Sequence, residues 1–301
     1  MYRKHFGLSE KPFSLLPDPA YLFFSKRHKA AFAMLEYGLC EQSGITVVTG
    51  AVGSGKTTLI RHLLRRIDYD EFTVGVVTSA HGSFEDMLQW ITASFGLPFE
   101  GRSRVRMIND FMHFVISRYA AGKRVALILD EAQNIDAKAL EDLRLLSNIN
   151  TDKDHLLQIL LVGQPELLEV LRRPSLRQFA QRVSAEYHLD AMNCSDTIEY
   201  VRHRLRVAGG NEFLFDTFAI VAIFYYTGGI PRLVNTLCDQ ALVHGYAAEV
   251  ERIEVDLALE VIKGRRIGGM DRERENVEEL EKARHLLKQV TGVDIREVVG
   301  F

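Results

Sequence analysis

The chain has 301 residues, 47% of them hydrophobic and 26% charged, an ordinary globular composition with room for one large domain or two small ones. A formal net charge of −3 gives no global basic field to gather nucleic acid or anionic lipid. The longest apolar run, Phe218 to Tyr226, has nine residues and is too short to cross a bilayer, and the N-terminus carries no basic-then-apolar export signal.

Cys40, Cys194 and Cys238 lie far apart, with no C-x-x-C and no histidine at zinc spacing, so they are expected as thiols of a reducing, cytoplasmic compartment. The basic clusters Lys26-Arg27-His28-Lys29, Arg102 to Arg106 and Arg172-Arg173 are short and read as solvated surface.

Residues 1–44 form a lead-in segment. Pro12-Phe13 and Pro17-Asp18-Pro19 predict an extended arm, because proline fixes the backbone and removes a donor. Ala30, Ala31, Met34, Leu35 and Leu39 then recur at helical spacing, up to Gly44. Residues 45–190 read as an α/β unit. Ile45 to Thr49 is a β-branched strand, and Gly50 to Thr57 follows, with Leu59 to Leu64 at helical spacing beyond it.

A second strand is predicted over 72–78, helices over 84–96 and 105–121, and strands over 125–129, 156–163 and, more weakly, 183–189. The continuous apolarity of Val125 to Leu129 marks a strand covered on both faces, so the sheet is expected to be parallel with right-handed crossovers. From about Ala191 to 265 only helices are predicted, at 196–207, 216–226, 231–246 and 255–262, which makes a separate helical subdomain. A Gly/Arg-rich linker over 264–269 leads to a tail, 266–301, whose Leu280, Ala283, Leu287 and Val290 share one helical stripe. Packing on the body and docking on a partner fit that stripe equally.

The octapeptide Gly50-Ala51-Val52-Gly53-Ser54-Gly55-Lys56-Thr57 fits G-x-x-x-x-G-K-[ST] in the strand-loop-helix setting that this motif requires. Glycines let backbone amides turn toward phosphate, and the next helix offers its positive end. Lys56 is then expected on the β- and γ-phosphates of ATP, the Thr57 hydroxyl on Mg²⁺, and Thr58 beside them at the helix start. About 75 residues on, an apolar strand ends in Asp130 and Glu131. Asp130 is the second expected Mg²⁺ ligand, and Glu131 the general base that polarises the attacking water.

With Gly163-Gln164-Pro165, Gln181-Arg182-Val183 and Gly228 to Arg232, these motifs resemble an AAA+ ATPase of the ExeA/GspA-like type over roughly residues 1–265. The opening fits too, in Met1-Tyr2, Phe6-Gly7-Leu8 and Pro12-Phe13. The resemblance implies a P-loop NTPase three-layer α/β/α parallel sheet with a C-terminal helical lid. It implies that Gln164 acts as sensor 1, Arg182 as an arginine finger working in trans, and Arg232 as sensor 2.

It further implies a homo-oligomer, ring or spiral, that serves as motor or switch for an envelope machine of type II secretion, type IV pili or exopolysaccharide export. Secretion-type members often continue through a transmembrane helix, so membrane attachment of this chain, at the inner membrane, is expected through a protein partner. The competing reading is a DNA-binding regulator like the distant transposition ATPases, which the low net charge disfavours.

Overall fold

The structure is a computed structural model and describes residues 1–16, 18–42, 44–78, 83–151, 154–265 and 276–299. In chain order these form α1 (Tyr2–His5), α2 (Lys26–Cys40), β1 (Ile45–Gly50), α3 (Lys56–Arg66), β2 (Phe72–Val77), α4 (Phe84–Ser94), α5 (Arg104–Ala120), β3 (Arg124–Leu129), α6 (Ala137–Leu146) and β4 (Leu157–Gly163). There follow α7 (Glu166–Leu171), α8 (Arg177–Ala180), β5 (Val183–Leu189), α9 (Cys194–Val207), α10 (Thr217–Thr227), α11 (Pro231–Ala247), α12 (Val255–Gly264), α13 (Val277–Thr291) and α14 (Ile295–Val299). Two compact units result: residues 28–51 with 59–189, and residues 1–27 and 52–58 with 190–301.

The first unit is built on a five-stranded sheet in the order β2-β3-β4-β1-β5, with every pairing parallel. Central β1 and β4 are buried at every residue, as their unbroken apolar runs predict, whereas the edge strands β2 and β5 alternate with partly exposed positions. That edge place explains the weak apolar signal of Val183 to Leu189. The strands also fix one functional end. In register, Thr49 lies beside Gly163 and Leu129 beside Leu161, so β3, β4 and β1 stop next to one another on the same rim.

In the second unit, α9 to α12 pack around α10, a helix buried along nearly its whole length, which accounts for the nine-residue apolar run. The N-terminal arm belongs to this core. Tyr2, Phe6, Leu8, Phe13 and Tyr21 are buried with Tyr200, Leu205, Ile220 and Phe224. The arm is not wholly extended: α1 forms one turn, and Pro19–Tyr21 form a 3₁₀ turn capped by Asp18, with Pro19 at the first position, where its missing N–H costs nothing. Pro17 lies outside the described residues.

The buried Arg204 guanidinium secures the arm. It donates to the Pro12 and Ser14 carbonyls and to the Tyr200 hydroxyl, and it lies 4.7 Å from the centre of the Tyr21 ring. Of the tail stripe, Leu280, Ala283 and Leu287 are buried in the same core, while Val290 is exposed. Those three positions therefore pack on their own chain. In the predicted linker, Gly264 closes α12, and residues 266–269 lie outside the described residues. Among the described residues no helix is long and apolar enough to cross a membrane.

Candidate nucleotide site

The phosphate-loop motif leaves the sheet at Gly50, the last residue of β1, with Ala51 half-buried behind it. Gly53 and Gly55 adopt φ of +80° and +109°, angles that a side chain resists and glycine allows. Val52 is exposed, Ser54 is buried, and Lys56 is buried to 7% exposure at the first position of α3. Thr57 and Thr58 follow, half-buried, and no acid stands in that first turn to neutralise the helix end. A buried lysine, a helix N-terminus with no acid in its first turn and a pair of glycines at positive φ suit a polyphosphate.

The same unit brings Arg232 to this loop. Arg232 N–H donates to Gly53 O at 3.3 Å, and a Cβ on Gly53 would lie 2.5 Å from Arg232 Cβ. The backbone of Arg232 is thereby fixed on the loop, while its side chain is exposed at the start of α11.

On the sheet unit, Asp130 is buried directly after β3, and its N–H continues the ladder to Val77 O at 2.9 Å. Its Oδ1 accepts the N–H of Glu131 at 2.9 Å. Glu131 takes the left-handed conformation, φ 54° and ψ 36°, uncommon for a residue with a side chain. Its Oε2 accepts from Gln133 Nε2 at 2.6 Å and from Gln164 Nε2 at 3.2 Å, and Gln133 Oε1 accepts Gln164 N–H at 2.9 Å.

Two amides thus orient one carboxylate at the rim where β3 and β4 end. Gln133 is the participant that sequence reasoning passed over; it stands two residues after Glu131, close enough for its side chain to turn back on the carboxylate. Asp130 supplies a buried carboxylate of the kind that suits Mg²⁺, which keeps several waters and needs only one or two protein oxygens alongside phosphate.

Arg182 is not in this hydrogen-bonded cluster. Its Nη1 donates to Ser147 Oγ at 3.2 Å and Ser147 O at 3.4 Å, at the end of α6. Arg177 is exposed and lines a cavity of about 420 Å³ together with Arg172, Arg173 and Glu186.

A family profile described as AAA domain matches residues 40–171. Over 273 residues, 89% of this chain, the sequence is 41% identical to General secretion pathway protein A of Aeromonas hydrophila. The chain spans 50% of that relative's length. Among solved structures, the fold is similar to the ORC2 protein of Aeropyrum pernix in ADPNP-ADP complexes, with TM-score 0.63, 17% identity, and 87% of this chain and 73% of that one covered. It is similar also to Cdc6p of Pyrobaculum aerophilum, with TM-score 0.63, 17% identity, and 86% and 72% covered. At such identities the likeness is one of fold.

Proposed function

Because the chain belongs to the ExeA/GspA-like branch of the AAA+ family, we propose that it binds ATP with Mg²⁺ and hydrolyses it, in an oligomer that drives or switches a protein machine of the bacterial envelope. The observation that carries the hydrolytic part is the Glu131 carboxylate, held by two amides in a left-handed turn directly after Asp130.

Lys56 and the loop amides would bind the phosphates, and Thr57 and Asp130 are the residues that would hold the cation. The chemistry that Mg²⁺ would supply there is positive charge against the phosphates. Glu131 accepts a proton from the attacking water and Gln164 fixes the carboxylate's direction, which saves the entropy of orienting it. Arg182 of a neighbouring copy and Arg232 of the same copy oppose the negative charge that grows on the transferred phosphate.

The secretion part of the proposal rests on the named relative, and the cytoplasmic face of the inner membrane, reached through a protein partner, is its place. Phosphate release by the full chain, compared with Glu131→Gln, tests the reading. We expect ATP-dependent release in the parent and a loss of about 10²-fold or more in the variant, with ATP binding kept. A parent that forms oligomers, binds ATP and releases no phosphate defeats it. Duplex DNA should leave the rate unchanged; a salt-sensitive stimulation would instead favour the DNA-regulator reading.

A further inference from the structure

The start of α13 is tied to the segment that carries Arg232 by a short run of hydrogen bonds. Asn276 Nδ2 donates to Met192 O at 3.3 Å, and the Glu279 carboxylate accepts the N–H of Cys194, the first residue of α9, at 2.9 Å. The Glu279 bond satisfies one of the amides that every helix leaves open at its N-terminus, next to the one that Asn193 caps at Asp196. Two groups from α13 therefore fix residues 192–194.

Met192 N–H donates in turn to Gly229 O at 3.1 Å. Gly229 has φ +80°, and a Cβ there would stand 1.9 Å from Met192 O, so the two backbones touch with no slack. Three residues later comes Arg232, with its N–H on Gly53 O of the phosphate loop. Ile230 and Pro231 between them are the cap and first residue of α11 and leave few torsions to absorb a shift.

We propose that Asn276 and Glu279 are positioning residues for the nucleotide reaction: through Met192 and Gly229 they set where Arg232 stands over the phosphate loop. The proposal rests on the reading of Arg232 as the nucleotide-sensing arginine. Neither residue touches nucleotide, so both act through Arg232. In consequence, a partner that draws α13 off the helical unit weakens the site without entering it.

The test uses the full chain and ATP turnover. The double substitution Asn276→Ala with Glu279→Ala should lower kcat/KM about fivefold, within the range that such indirect couplings reach. Glu279→Gln, whose amide oxygen can still accept the Cys194 N–H, should restore most of the loss in the Asn276-containing chain. In an Arg232→Ala background the double substitution should cost nothing further, because both changes act on one group.

Unreactive Cys238, fully buried in the helical core, shows that the unit stays folded; should it open, the single Asn276→Ala and Glu279→Ala chains carry the measurement. Unchanged kcat/KM in the folded variant overturns the proposal, and so does a fivefold loss that persists without Arg232. Arg232→Ala by itself judges the separate reading of Arg232: if it turns over ATP like the parent, that reading fails whatever the tail variants do.

Discussion

Gln164 donates from Nε2 to Oε2 of Glu131 across 3.2 Å, and Gln133 holds the same oxygen at 2.6 Å. On the proposed reading this bond sets the direction of the carboxylate that serves as base. Gln164→Ala should lower kcat by about 10-fold to 100-fold and leave ATP affinity nearly unchanged, since the lost bond orients a reacting group and does not hold the ligand. Gln133→Ala should act in the same direction. Steady-state kinetics with a fluorescent-nucleotide titration separates the two quantities.

Lys56→Ala removes the cation buried at the start of α3 and should abolish most ATP binding. Gly53→Ala tests the loop from its other side. The added methyl meets Arg232 Cβ at 2.5 Å in a backbone of φ +80°, so it should cost about 1–2 kcal/mol of stability and weaken nucleotide binding as well. Calorimetric titration with ATP and a urea midpoint report these effects.

Arg182→Ala should spare ATP binding and reduce turnover by about 10³-fold, the scale of an arginine that opposes transition-state charge. Mixing it with Lys56→Ala protein should restore partial activity, because some interfaces then pair an intact Lys56 site with an intact Arg182. No recovery in confirmed mixed oligomers assigns the finger elsewhere, with the exposed Arg177 next in line.

The three thiols should separate by reactivity. Cys40 is exposed and alkylates first, whereas Cys238 is fully buried and resists. Cys194 has its pKa pushed up to about 11, chiefly by burial and secondly by the Glu279 charge. At pH 8 its thiolate is roughly 0.1% populated, and alkylation should rise about tenfold per pH unit up to that value. Glu279→Gln should shift the rise to lower pH, as removal of a negative neighbour favours the thiolate. Mass spectrometry of alkylated peptides gives each rate.

Leu287, 1% exposed in the helical core, should cost about 2–5 kcal/mol on replacement by alanine, whereas Val290→Ala should be nearly silent. Equal urea midpoints for the two variants would remove the tail from the core.

The phosphate loop and the carboxylates were legible because each is a contiguous motif in a periodic setting, and the parallel sheet was legible because β1, β3 and β4 are apolar throughout. The tail stripe was visible as a pattern with its partner unspecified: helical spacing tells which residues share a face, not that α10 covers it and leaves Val290 out. The aromatics of the arm were hidden for another reason. Phe6, Leu8 and Phe13 follow no period, and their neighbours lie at the far end of the sequence. Arg232 on Gly53 and Gln133 on Glu131 are single long-range or turn-dependent contacts, which composition and spacing do not encode.

The core that joins the arm to α9, α10 and α13 also sets an order of folding during synthesis. Phe6, Leu8 and Phe13 leave the ribosome early, yet the side chains that shield them, among them Leu205, Ile220 and Phe224, come after the entire sheet. The sheet unit can form as soon as β5 is made, while the arm waits with bare aromatics. That interval, on the order of ten seconds or more at ordinary elongation rates, is when the nascent chain offers a hydrophobic N-terminal segment to chaperones or to aggregation.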